Sequence, residues 1–235
     1  MKKIPFKVLS EIKNSSSVKI GGLVLDESNN ITTCYTVSGG YKTSAINETK
    51  IPSMELIKKI QFPDTVFLTD LTLLNDKLYV LTMNEEKCYV YSKDLKSSNT
   101  ISFSGKGWGL TNNGEHLIMG DLRNNIVFRC PQSFEIIKTL SITTNNKPLV
   151  LGSLTFGKGL IWANPLGTPS KIICIDPDRG DITQELNVSS LVDKERIPND
   201  SSIFYSSLAI FYDQIKEQIA VTSNQWEHIY MLSSQ

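Results

Sequence analysis

The 235-residue sequence carries no net charge, with 24 Lys and Arg against 24 Asp and Glu, and holds only two histidines and four cysteines. Each shortage excludes something. Without a concentrated surplus of Lys and Arg, neither nucleic acid nor an anionic membrane surface is expected as a partner, because phosphate binding draws on clustered cations. Cys34, Cys88, Cys130 and Cys174 lie 54, 42 and 44 residues apart, with no C-x-x-C pair. Such spacing suits neither a zinc cluster nor a redox pair, and small buried hydrophobes in a reducing compartment account for all four. His116 and His228 have no acidic partner at ligand spacing, so neither a metal site nor a Ser-His-Asp triad is expected, and no cofactor. No G-x-G-x-x-G or G-x-x-x-x-G-K-[ST] loop is present to cradle a phosphate. No run approaches the roughly 20 apolar residues that cross a bilayer. Met1-Lys2-Lys3 leads into Ile4-Pro5-Phe6-Lys7 rather than an apolar signal core. As it stands the chain reads as a cytoplasmic protein, or as a secreted or periplasmic one had a signal segment been removed.

What is present is repetition. Five segments each open on a short apolar strand, pass through a turn of Asn, Asp or Gly, and continue as alternating strands. Leu23, Leu71, Leu110, Leu154 and Leu208 anchor them at spacings of 48, 39, 44 and 54 residues, around the 47 that a fifth of the chain would give. A period of roughly 40 to 50 residues with three or four strands per unit marks a β-propeller. Residues 1–235 are therefore expected to form one all-β domain, a five-bladed propeller. The turns have a mechanism: Asn112-Asn113-Gly114 and Gly157-Lys158-Gly159 tolerate positive φ in tight hairpins, and Asp176-Pro177-Asp178-Arg179-Gly180 pairs a φ-fixing Pro with a closing Gly. Cys88, Cys130 and Cys174 fall at similar repeat positions, as packing between blades would require. Only Met54 to Lys59 and Leu191 to Arg196 carry helical apolar spacing, and both are short. Pro5 to Lys13 alternates like a strand, and is expected to pair beside the last repeat, closing the ring and removing two exposed edges.

The run Gly107-Trp108-Gly109-Leu110-Thr111-Asn112-Asn113-Gly114, with Gly120-Asp121 and Pro131-Gln132-Ser133-Phe134 after it, resembles the G-W-G-L-x-x-D-G, S-D-G and D-P-x-T-F segments of the plant and bacterial glutaminyl-peptide cyclotransferases. Trp162-Ala163-Asn164 is similar to that family's W-A-N-x-W, and Val221-Thr222-Ser223-Asn224-Gln225-Trp226 to its V-T-G-K-x-W. The resemblance implies a five-bladed propeller whose members convert an N-terminal glutamine to pyroglutamate. There the α-amine attacks the side-chain amide carbon and ammonia leaves, which needs a carboxylate to move protons and donors to hold an oxyanion.

The departures fall on the chemistry. F-T-Q-G-L becomes Lys19-Ile20-Gly21-Gly22-Leu23, and E-S-T-G becomes a run without a carboxylate, Tyr35-Thr36-Val37-Ser38-Gly39. G-E-G-L-T becomes Leu68-Thr69-Asp70-Leu71-Thr72, and L-N-E-L-E becomes Leu151-Gly152-Ser153-Leu154-Thr155. L-N-G-I-A becomes Tyr205-Ser206-Ser207-Leu208-Ala209, and the family lysine falls at Asn224. No residue is assigned a catalytic role on this reading. The resemblance offers Trp108, Asp121, Trp162, Asn164, Ser206, Asn224 and Trp226 as ligand-binding candidates at the channel mouth. Each has a plain alternative: the tryptophans can pack between blades, and Asp121-Leu122-Arg123 can be a surface turn. The expectation is a propeller that has lost cyclotransferase activity and binds a peptide N-terminus or small polar molecule. The alternative is an active cyclotransferase with a relocated carboxylate, for which Asp70, one residue from a family glutamate, is the candidate.

Overall fold

The computed structural model describes residues 2–15, 18–28, 31–195 and 207–234. The chain begins with β1 (Lys2–Ile4) and β2 (Phe6–Lys13), and five blades follow in order. Blade I is β3 (Gly22–Ser28), β4 (Ile31–Ser38), β5 (Ala45–Ile51) and β6 (Glu55–Gln61). Blade II is β7 (Leu68–Leu74), β8 (Lys77–Thr82), β9 (Lys87–Ser92) and β10 (Ser98–Ser102). Blade III is β11 (Leu110–Asn112), β12 (Leu117–Gly120), β13 (Asn125–Arg129) and β14 (Ile136–Ser141). A small hairpin, β15 (Thr143–Thr144) and β16 (Lys147–Pro148), leads to blade IV: β17 (Leu151–Gly157), β18 (Leu160–Pro165), β19 (Lys171–Ile175) and β20 (Ile182–Asn187). After α1 (Ser189–Glu195), blade V is β21 (Leu208–Asp213), β22 (Gln218–Ser223) and β23 (His228–Ser234). The five anchoring leucines all lie on first strands.

Blade V takes its fourth strand from the other end of the chain. β2 pairs antiparallel with β23, from Phe6 opposite Ser234 to Lys13 opposite His228, as the alternation of residues 5–13 predicts. β1 adds what the sequence did not suggest: it pairs in parallel with β20, Lys2 opposite Gln184 and Ile4 opposite Leu186, as a fifth strand of blade IV. The first 13 residues thus span two blades.

Burial follows position in the blade. The innermost strands β7 and β17 are buried at nearly every residue because both faces and the channel side meet protein. The outermost strands β6, β10 and β14 are largely exposed. The core is five clusters rather than one, each in the gap between neighbouring blades. Cys34 lies between blades V and I, Cys88 between II and III, and Cys174 between IV and V. Cys130 departs from the expectation for the cysteines: it falls just past β13 and is only half-buried. Hydrogen bonds from Ser133, then Gln132, hold its thiol below the ordinary range. Met54 to Lys59 is also corrected, since Met54 ends the β5–β6 turn and strand β6 occupies the rest; alternate residues of a fourth strand facing a neighbouring blade mimic helical spacing over so few positions. The Leu191 stretch is α1, its Leu191 buried against blades IV and V, while Arg196 lies outside the described residues. The turns behave as their residues demand: Asn75-Asp76, Asn145-Asn146 and Lys158-Gly159 all take positive φ in two-residue hairpins.

Candidate functional site

The first strands of all five blades surround the central channel. At their N-terminal ends the described residues line a mouth of about 590 Å³, bounded by Lys19 and Gly21, Gly39 to Tyr41, Phe67 to Thr69, Met83, Trp108, Ser207 and Asn224. At their C-terminal ends a second cavity of about 490 Å³ is lined by Asp26, Glu27, Asn112, Phe156 and Asp213 among others. Here Asp26 is paired with Lys93 at 2.7 Å, Glu27 with Lys216, and Asp213 caps the amides of Ile215 and Lys216, so its charges already have partners.

The mouth has one aromatic wall. Tyr41 meets Phe67 edge-on at 5.3 Å, and Phe67 lies 6.3 Å from Trp108 at an interplanar angle of 37°. Gly39 lets this wall close on bare backbone: a Cβ there would stand 2.7 Å from the Leu68 carbonyl and 3.1 Å from Phe67 Cε1. Opposite lie the segment entering β3, fixed by Gly21 N–H donating to the Val37 carbonyl at 2.8 Å, and the β22–β23 loop with Asn224. No carboxylate lines the mouth among the described residues, and Lys19 is its one charge.

Below the mouth the channel is plugged by Asp70, 2% exposed. The pairing of β7 with β8 skips register between Leu68 and Leu71, and that of β17 with β18 between Leu151 and Leu154. Bulges re-aim side chains, and these two turn Asp70 and Ser153 toward one another. Asp70 Oδ1 accepts the Leu71 amide at 2.9 Å, and Oδ2 accepts the Leu110 amide and the Ser153 hydroxyl, each at 3.0 Å; the Leu154 amide also donates. One carboxylate therefore joins the inner strands of blades II, III and IV, and Ser153 Oγ carries the network to blade V by accepting the Ile210 amide at 3.4 Å. Burial outweighs these donors and pushes the Asp70 carboxyl up to about 7. Blade I makes room for it with Gly22, where a Cβ would stand 2.2 Å from Asp70 Oδ1. Gly22→Ala is expected to destabilise the fold by about 1–3 kcal/mol, the range for overpacking a tight core. A lowered urea midpoint at unchanged slope would show it; an unchanged midpoint would contradict this packing.

The candidates read from the sequence divide. Trp108 and Asn224 line the same mouth. Trp162 does not: it is 2% exposed between blades IV and V, stacked on Tyr212 at 5.7 Å, with Nε1 donating to the Gly157 carbonyl at 3.0 Å. Trp226 packs against Tyr230 in the same inter-blade cluster. Asn164 is fully buried and bonds backbone on both sides: Nδ2 donates to the Thr168 and Lys171 carbonyls, and Oδ1 accepts the Leu208 amide at 3.0 Å. It ties blade IV to blade V just beneath Ser207. Asp121 organises its own turn, accepting the Arg123 and Asn125 amides and the Asn125 side chain at 2.7 Å. Ser206 lies outside the described residues.

Sequence reasoning missed the Asp70 network, whose partners are 40 and 83 residues distant, and the Phe67–Tyr41 wall. It also gave His228 no acidic partner. Glu195, at the end of α1, approaches His228 Nδ1 at 2.9 Å and accepts the Tyr230 hydroxyl at 2.5 Å, clamping the helix to blade V. Among the described residues no group of three His, Cys, Asp or Glu side chains could hold a metal ion, and no helix is long and apolar enough to cross a membrane.

Comparison with known proteins agrees with this architecture. The crystal structure of Myxococcus xanthus glutaminyl cyclase superposes with a TM-score of 0.84 at 19% identity, covering 98% of this chain and 97% of that one. The Neurospora crassa Pan2 WD40 domain superposes at 0.53 with 9% identity, covering 97% and 95%. No curated protein sequence gave a match. The family model described as glutamine cyclotransferase matches residues 1–233. With nearly the whole chain matched, this protein belongs to the glutamine cyclotransferase family.

Proposed function

We propose that this propeller has lost glutamine cyclisation and acts as a binding module, holding a small polar ligand or a peptide terminus at the channel mouth. The observation that carries the reading is the absence of a carboxylate among the described lining residues, where Thr69 stands in place of the glutamate of G-E-G-L-T. Cyclisation needs a base within hydrogen-bond reach of the attacking amine. The Thr69 hydroxyl instead donates to the Leu81 carbonyl at 3.3 Å. Gly21, where the family motif carries glutamine, takes away a further polar side chain, and Asn224, where it carries lysine, takes away a charge. The size of the mouth fits this reading, since small-molecule pockets run to roughly 300–1,000 Å³.

Asp70 supports a second reading, because a carboxyl near 7 has the value a general base requires. Its geometry favours a structural role: it lies beneath the mouth, and its oxygens are engaged by donors from three blades. The test is ammonia release from an N-terminal glutaminyl peptide, run on the parent, Asp70→Asn and Asp121→Asn. The expected rate for all three is that of the uncatalysed reaction, since loss of a general base alone lowers rates by about 10²–10⁴. Turnover by the parent that disappears in a folded Asp70→Asn protein would establish the relocated base and end the binding-only reading.

A further inference from the structure

The donors and charges of the mouth restrict what it can hold. Its hydroxyls are directed to the protein itself: Thr43 donates to the Gly39 and Gly40 carbonyls, Thr69 to that of Leu81, and Ser207 to that of Leu208. Lys19, Asn224 and Tyr41 supply further side-chain donors. Lys19, exposed at the rim, forms no ion pair among the described residues, and only its backbone carbonyl is engaged, by the Ser38 hydroxyl at 2.7 Å. Asn224 uses Oδ1 to accept the Ser223 hydroxyl at 3.4 Å, and its Nδ2 hydrogens meet no acceptor among the described residues. Tyr41 accepts from Asn84 at 3.0 Å and keeps its own proton. Two carboxylates lie close without lining the mouth: Glu85, which accepts the Phe67 and Asn84 amides, and Asp70, enclosed below. Among the described lining residues a ligand ammonium would meet Lys19 and no carboxylate. A carboxylate would meet an ammonium and an amide donor, and a flat apolar group beside it would lie along Tyr41 and Phe67.

Resting on the binding reading above, we propose that the ligand of this mouth is an arylalkyl carboxylate, a planar apolar body bearing one anionic group, either as a free small acid or as the aromatic C-terminal residue of a peptide. Charge-assisted hydrogen bonds to a carboxylate are about twice as strong as neutral ones, so the anion should decide affinity.

Three probes of one skeleton test this by calorimetry and tryptophan fluorescence: 3-phenylpropionate, its primary amide, and 3-phenylpropylamine. The acid is expected to bind about tenfold more tightly than the amide, to weaken as salt is raised, and the amine to show no binding. Lys19→Gln, at an exposed position, should bring the acid to the level of the amide while leaving the amide and the melting temperature unchanged. An N-acetyl dipeptide ending in phenylalanine, as free acid and as amide, then separates the two sources: preference for the peptide acid assigns a C-terminus, and binding of the small acid alone assigns a metabolite. Equal binding of acid and amide, tighter binding of the amine, indifference of the acid to Lys19→Gln, or no binding by any probe would each overturn the proposal. Equal binding would still leave a binding module, whereas turnover of a glutaminyl peptide would overturn the lost-activity reading whatever the probes show.

Discussion

Removing residues 1–13 should lower the melting temperature by roughly 10–30 °C, the largest stability effect expected anywhere in the chain. The segment contributes Ile4 and Ile12, each 9% exposed, and Phe6 and Val8, packed against the cluster between blades IV and V. Burying four such side chains stabilises by about 4–8 kcal/mol, and each kcal/mol shifts a domain of this length by about 2–4 °C. A whole domain is stable by only about 5–15 kcal/mol, so the truncated protein would stand near the edge of folding. Two milder changes keep the experiment readable. Loss of residues 1–4 removes β1 alone and should account for a minority of the drop, and Ile12→Ala should cost about 2–5 kcal/mol through the cavity between blades V and I. A melt unaffected by the long deletion would refute ring closure by β2.

Asp70→Ala is expected to destabilise by about 3–5 kcal/mol, because it leaves the Leu71, Leu110 and Leu154 amides and the Ser153 hydroxyl without an acceptor inside the channel. The same substitution should alter the pH dependence of stability. Asp70 binds its proton more tightly folded, at about 7, than unfolded, near 3.8. Its contribution to stability is therefore complete below about pH 4 and lost as pH rises through 7. Urea midpoints measured from pH 4.5 to 7.5 should fall in the parent, and the variant's slope should be shallower by that one group. Glu48, also raised by burial, titrates in both proteins and cancels. Parallel slopes would mean that Asp70 is ionised throughout, its donors outweighing its burial.

The parts legible in the sequence are those governed by local period. Asn75-Asp76 and Lys158-Gly159 mark hairpins because few residues tolerate their φ, and the leucine anchors recur because every blade needs one apolar strand at the axis. Which side of a strand a residue occupies was harder to read. Trp162 and Asn164 sit two residues apart on β18, one turned into the inter-blade cluster and the other bonded to blade V, and neither reaches the mouth. The bulges at residues 69–70 and 152–153 leave no mark in the hydrophobic pattern, yet they aim the side chains that plug the channel. The lack of carboxylates among the described residues of the mouth was legible, because Gly21, Thr69 and Asn224 differ in residue type from the family motifs.

The pairing of β2 with β23 also sets a timetable. During synthesis, at roughly 5–20 residues per second, Phe6–Lys13 emerges some ten to forty seconds before its partner at residues 228–234. For that interval a strand with four apolar side chains has no native neighbour, while blades I to IV can assemble in sequence behind it. Lys7, Glu11 and Lys13 alternate along it, and charges so placed discourage pairing with another nascent chain. The strand that closes the ring thus carries its own protection against closing on the wrong partner.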